Sequence, residues 1–182
     1  AEVYTDKAYV IDMRESGTPL TVGSIGLDLH TNGWFVNLNA NYYDRIYLSY
    51  SPSYRYEKVL KNRQNAHVKY PEIFPAVVTE DGNSWLPEAV AQAKGHGGWM
   101  VDMSIGKSVR LKKGSLNFNL MITNLLNNQK LVTGGYEQNS RSGYTLTTGG
   151  EVNNVRVYQF SKNPKKYYAF GTNGMFQIGY RF

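Results

Sequence analysis

The sequence predicts an all-β chain: the C-terminal antiparallel strands of a transmembrane β-barrel, with short periplasmic turns and long extracellular loops. Three observations predict it. Five segments alternate apolar and polar residues with a period of two. The connections between them run short, long, short, long. Aromatic residues gather near the segment ends, where a barrel carries its two interfacial girdles.

The alternation is clearest in 115–126. Leu116, Phe118, Leu120, Ile122 and Leu126 fall on one face, and Asn117, Asn119, Met121 and Thr123 on the other. In 98–109, Trp99, Val101, Met103, Ile105 and Val109 oppose Asp102, Ser104, Gly106 and Ser108. In 34–50 the apolar set is Trp34, Val36, Leu38, Ala40, Tyr42, Ile46 and Leu48, against Asn37, Asn39, Asn41 and Tyr43. In 167–182, Tyr168, Phe170, Phe176, Ile178, Tyr180 and Phe182 oppose Asn173, Gln177, Gly179 and Arg181. Segment 20–30 is weaker. Leu20 and Val22 fall out of step with Ile25, Leu27 and Leu29, and a bulge at Gly23-Ser24 is expected to repair the register.

A half-solvated antiparallel sheet gives the same alternation, so the connections decide. Thr31-Asn32-Gly33 and the stretch from Arg110 to Gly114 are tight turns. Residues 51–97 and 127–166 are long loops, which are uncommon in compact soluble domains. Short and long connections at opposite ends are the barrel pattern. Segment 20–30 then runs down and 167–182 also runs down, ending in the periplasm. Trp34, Tyr180 and Phe182 sit low; Tyr42, Trp99, Tyr168 and Phe170 sit high. Asp44 and Lys107 have lipid-facing parity but lie near strand ends, where charge costs little, and Lys107 can snorkel. In the first loop, Ser84 is expected to cap about two turns of helix over 87–94.

Composition agrees. Of the 182 residues, 41% are hydrophobic and 14% aromatic, with 15 Tyr. Mean hydropathy is −0.47. That mix suits strands with one apolar and one wet face. Helical spans need about 20 consecutive apolar residues, and no such run occurs. There is no Cys, hence no disulfide framework. The net charge of +6 comes without zinc-finger or ribonucleoprotein motifs, so no nucleic-acid partner is expected. Lys58, Lys61, Arg63, Lys69, Lys162, Lys165 and Lys166 fall in the loops; they read as a solvated surface, with contact to anionic lipopolysaccharide as the alternative. Ala1-Glu2-Val3-Tyr4 does not begin a signal peptide, so a mature chain or a fragment is expected. Five strands are too few for a single-chain barrel, which starts at about 8, so further strands are expected before Ala1 or from another chain.

Sites for chemistry are sparse. His30, His67 and His96 share no helical face with other ligands, and no metal or cofactor is expected. Lys94 to Gly98 is glycine-rich but does not open a helix after a strand, so it reads as a return into the strand at Trp99. No nucleophile–base arrangement stands out, and no enzymatic activity is expected. Ligand-binding residues are not identified. Inward Asn residues read as the polar lining of a lumen. The end of the chain is more specific. Phe176, Ile178, Tyr180 and the terminal Phe182 form an alternating apolar strand, a handle that a barrel-assembly machine can take up by strand addition.

Three stretches carry a resemblance. The first is Gly17-Thr18-Pro19-Leu20, then Ser24-Ile25-Gly26-Leu27, Trp34-Phe35, the run from Tyr42 to Tyr47, and Ser51-Pro52. The second is the run from Val101 to Ser108 followed by Asn124-Leu125-Leu126-Asn127-Asn128. The third is Gly134-Gly135-Tyr136-Glu137-Gln138, then Tyr167 to Gly171 and Gly179-Tyr180-Arg181-Phe182. In this order the chain resembles the C-terminal part of TonB-dependent outer-membrane receptors, in the branch with a carboxypeptidase-regulatory-like N-terminal domain.

The resemblance implies a barrel of about 22 strands around an N-terminal plug, located in the bacterial outer membrane. It implies uptake of a scarce nutrient powered through TonB, which the missing N-terminal part contacts. Outer-membrane lipid and lipopolysaccharide are the implied surroundings, and a surface lipoprotein is a further partner to look for. This chain lacks the plug and the TonB-contacting segment. The alternative is a receptor-like barrel serving as a structural scaffold in a larger outer-membrane complex. A lipocalin-like soluble binder fails on strand count and on its apolar outer face.

Overall fold

The computed structural model describes residues 5–10, 12–138, 141–148, 151–158 and 164–182, and between 141 and 158 backbone alone. Ala1 to Tyr4 and Lys162 lie outside the described residues. The chain divides into two compact units. One comprises residues 18–46, 95–134 and 167–182; the other comprises 1–17, 47–94 and 135–166.

The strands in chain order are β1 (Pro19–Thr31), β2 (Trp34–Tyr47), β3 (Lys94–Gly95), β4 (Gly98–Arg110), β5 (Ser115–Thr123), β6 (Val132–Tyr136), β7 (Arg141–Thr148), β8 (Glu151–Tyr158), β9 (Lys165–Tyr168) and β10 (Asn173–Arg181). The main sheet has the order β1-β2-β4-β5-β10, with β3 paired to β2. The pairings along that path are antiparallel. It is an open up-and-down sheet with β1 and β10 at its edges. The antiparallel all-β expectation therefore holds. β6 pairs with β9, and β7 with β8, as separate two-stranded sheets.

Positive-φ residues make the tight turns. Asn32 and Gly33 both have positive φ, 46° and 76°, the requirement of the two-residue hairpin turn whose twist matches that of strands. Gly33 is also crowded: a Cβ there would lie 2.6 Å from the Ser108 carbonyl oxygen. The Ser108 N–H donates to the Gly33 carbonyl at 2.7 Å. At the next turn the Leu111 N–H donates to the Gly114 carbonyl at 3.0 Å, with φ 101° at Gly114.

Register is constant along β1 and β2, from Val22 opposite Tyr43 through Ser24 opposite Asn41 to Thr31 opposite Trp34. The expected bulge at Gly23-Ser24 is therefore absent. Val22 simply falls on the polar face, opposite Tyr43, and no repair occurs. The irregularity lies instead at Arg45, whose φ is 53°. A non-glycine residue in the left-handed region breaks the strict alternation of a strand. Beyond it Ile46 and Leu48 are buried, at 3% and 0% exposure, which corrects their expected outward position. Three segments are also shorter than expected. β2 stops at Tyr47, β5 stops at Thr123, and 167–182 is split into β9 and β10. Positive φ at Asn124 and Asn127 turns the chain out of β5.

The second unit is more ordered than a loop reading implies. A 3₁₀ turn, Pro52–Arg55, leads into α1 (Glu57–Lys69). The expected helix over 87–94 shrinks to α2 (Pro87–Val90), preceded by Leu86 with no side-chain cap. Ser84 instead belongs to a turn, where its N–H donates to Thr79 Oγ1 at 3.1 Å. Among its described residues, Leu48, Leu60, Val77 and Ala89 are the buried apolar ones. Among the described residues no helix is long and apolar enough to cross a membrane.

Candidate functional site

The candidate site is one face of the main sheet. Cross-strand register aligns its apolar residues into rows. Leu29, Val36, Ile105, Leu120 and Phe176 stand opposite one another in turn across all five strands. Leu27, Leu38, Met103 and Ile122 form a second row. Directly opposed side chains share a face, so these rows are contiguous. Phe118 and Phe176 stack with ring centroids 6.5 Å apart.

This face is exposed at the two edge strands and half-buried at Val36, Ile105 and Leu120 between them. Ile25 is 67% accessible, Phe176 61% and Ile178 59%. Contiguous apolar patches of this kind mark contact with a membrane or a partner. The opposite parity carries Asn37 opposite Ser104, Asn39 opposite Asp102, and Gln177 opposite Asn119. Ser104 Oγ donates to Asn119 at 2.9 Å, and Ser24 Oγ to Asn39 and Asn41 at 3.1 and 2.8 Å. Phe35 interrupts this polar side by lying against Gly106, where a Cβ would clash with its ring.

Rings flank the rows at both ends. Tyr42 and Trp99 stand opposite each other, with centroids 5.2 Å apart. At the turn end, Trp34 carries the Lys107 ammonium 4.9 Å from its ring centroid. Lys107 Nζ also donates to the Asn32 carbonyl at 2.6 Å. The eight-residue step from Trp34 to Tyr42 spans about 27 Å along the strand, or about 20 Å once strand tilt is allowed for. Strand lengths of 13 residues in β1 and 9 in β5 are of the order that crosses hydrocarbon, roughly 9–11 residues.

Phe176, Ile178 and Tyr180 line one face of the edge strand β10, and Phe182 follows it fully exposed. The Tyr180 and Phe182 rings meet edge-on at 5.0 Å. The Tyr180 hydroxyl donates to the Lys113 carbonyl. The other residues weighed in the sequence are dispersed. His30 lies 2.9 Å from Asp28, His67 Nδ1 bonds the Phe74 carbonyl, and the His96 carbonyl accepts from Val132. The glycines after Lys94 serve close packing: a Cβ on Gly95 would lie 2.7 Å from the Val132 side chain, and one on Gly97 would meet the Tyr43 carbonyl.

Two polar constructions escaped the sequence reading. In the second unit, Arg55 and Glu137 form a bidentate pair at 2.8 and 2.5 Å, both side chains fully buried. Arg55 donates further to the carbonyls of Ser51, Val90 and Ala91, and Glu137 accepts the Ser51 N–H. This ties three backbone segments together. Arg63 on α1 is part-buried, and burial together with the Arg55 charge lowers its pKa from the ordinary value. In the sheet unit, Asn124 is buried, with φ 52°. Its amide donates to the Phe170 carbonyl at 2.7 Å and its oxygen accepts the Asn128 N–H at 2.9 Å. Asp102 accepts the Asn124 N–H at 2.9 Å. In the sequence Asn124 stands out only as the first residue of the run Asn124-Leu125-Leu126-Asn127-Asn128; in the fold it holds the strand-exit turn closed.

Comparison with family models, curated proteins and solved structures gives no match to this chain.

Proposed function

We propose that the chain supplies wall strands and extracellular loops to an outer-membrane β-barrel of about 22 strands. We take that barrel to be a TonB-dependent transporter for a scarce nutrient. The observation that carries the reading is the register that aligns Leu29, Val36, Ile105, Leu120 and Phe176 into one contiguous apolar row. Hydrocarbon is a natural partner for such a face. The terminal rings and the snorkelled Lys107 suit the two interfaces.

The open edges support the need for further strands. Unpaired N–H and C=O groups in lipid cost several kcal/mol each, so β1 and β10 require neighbours from the rest of the protein. The plug and the TonB-contacting part belong to that remainder, as does any docking of a surface lipoprotein. The second unit, braced by Arg55 and Glu137, supplies ordered surface loops near lipopolysaccharide.

The test is made on the protein in its own cell. Envelope fractionation is expected to recover it with the outer membrane. Deleting its gene is expected to abolish growth on one limiting nutrient, and collapse of the proton gradient to stop its uptake. Recovery in a soluble fraction contradicts the barrel reading. Outer-membrane recovery with unchanged uptake of every nutrient tested rejects transport in favour of the scaffold.

A further inference from the structure

The polar side of the sheet unit contains an apolar hollow of about 290 Å³. Ile46, Leu131 and Val132 form part of its wall and are themselves buried, at 3%, 5% and 1% exposure. A wall of side chains that are themselves buried makes a pre-formed hollow, as small-molecule sites usually are. Tyr43, Met100 and Asp102 complete the relevant wall.

Asp102 is the feature that asks for a ligand. One carboxylate oxygen accepts the Asn124 N–H at 2.9 Å. Among the described residues Asp102 forms no ion pair. Arg45, the basic residue next in sequence to the Tyr43 side of the hollow, is engaged elsewhere. Its Nε donates to Thr21 Oγ1 at 2.6 Å and its Nη2 to the Leu20 carbonyl at 3.1 Å. A charge against apolar walls is stabilised by an opposite charge that brings its own hydrocarbon. Tyr43 also lines the hollow, and aromatic rings attract cations. A bare divalent metal is a poor fit, because one carboxylate cannot replace a shell of about six oxygens. A neutral apolar guest leaves the carboxylate dehydrated and unpaired.

We propose that this hollow binds a small organic ammonium ion, its nitrogen on Asp102 and its hydrocarbon group against Ile46, Leu131 and Val132. The proposal goes beyond the barrel-wall reading and does not rest on it.

Calorimetric titration of the purified full chain with three probes tests it: 2-phenylethylammonium, 2-phenylethanol and 3-phenylpropionate. The ammonium is expected to bind about tenfold tighter than the alcohol, the factor that ~1.4 kcal/mol of charge pairing gives, and the carboxylate weakest. Asp102→Asn keeps an oxygen for the Asn124 N–H and is expected to erase the ammonium preference while leaving alcohol affinity unchanged. Thr133→Trp, at an exposed position lining the hollow, is expected to weaken both and serves if Asp102→Asn does not fold. Equal affinity for ammonium and alcohol overturns the proposal. So does ammonium binding that survives Asp102→Asn, or no binding of any probe, as when a segment of the same protein fills the hollow. Failure of the membrane reading would show independently, as recovery of the protein in a soluble fraction.

Discussion

Arg55 and Glu137 meet 82 residues apart in sequence, two prongs to two oxygens, and neither side chain reaches solvent. Every remaining direction of the guanidinium goes to a backbone carbonyl. Breaking such a pair from one side leaves a buried, uncompensated charge at about 3–5 kcal/mol, whereas replacing both partners by apolar groups is often near neutral. Glu137→Leu is therefore expected to lower the unfolding temperature and open residues 51–94 to protease. Arg55→Met with Glu137→Leu is expected to recover most of the loss. A single variant as stable and protease-resistant as the parent contradicts this role.

Asn124 combines a left-handed backbone with a fully used amide. Asn124→Gly keeps the backbone at ease but deletes the hydrogen bonds, at roughly 1–3 kcal/mol. Asn124→Ala adds a left-handed penalty of about 1 kcal/mol. Urea unfolding is expected to rank parent, Gly, then Ala in falling stability. Ala equal to or above Gly contradicts the strained-turn account.

Asp81 closes a turn in the second unit, accepting from the Thr79 hydroxyl and from the Asn83 N–H. These bonds, the Thr79 hydroxyl first, hold its pKa below the ordinary carboxylate value. The charged form is thus the one favoured by folding. Its contribution is complete above the ordinary Asp range and is lost as pH falls through the depressed value. The Asn83 amide resonance is expected to titrate with a midpoint below about 3.9, and Asp81→Asn to remove the transition. A midpoint at or above that value contradicts the bonds.

Phe182 is fully exposed and touches the Tyr180 ring edge-on. Its removal costs the folded sheet little, so any loss of the protein from the outer membrane reports recognition during assembly. Deleting Phe182, or placing Asp at Tyr180 and Phe182, is expected to cut the outer-membrane level severely. Normal levels of the Asp variant reject the terminal strand as an assembly signal.

Much of the sheet was legible because a period of two is written into each strand. Leu116 to Ile122 and Trp99 to Ile105 read correctly, and Asn32-Gly33 announced its hairpin. What failed was local geometry that composition hides. Val22 looks like a displaced core residue, yet it sits opposite Tyr43 in unbroken register. Arg45 carries no outward sign of its positive φ, so the burial of Ile46 and Leu48 was unforeseen. α1 is polar on nearly all sides, with Leu60 its one buried residue, and such a helix leaves no apolar stripe to read. The Arg55–Glu137 pair and the Asp102–Asn124 bond join residues far apart in sequence, where nothing local announces a partner. The apolar row through Phe176 was legible; the hollow at Asp102 was not.

The central claim is that the Leu120 face of the sheet meets lipid and the Asn119 face meets water. A nitroxide scan along β5, one cysteine at a time from Leu116 to Ile122 in the full-length protein reconstituted in bilayers, tests it most directly. The account predicts that residues 116, 118, 120 and 122 collide with dissolved oxygen, which concentrates in hydrocarbon, and that 117, 119 and 121 collide with a water-soluble nickel chelate. The opposite parity, or equal access to the chelate at every position, would contradict it.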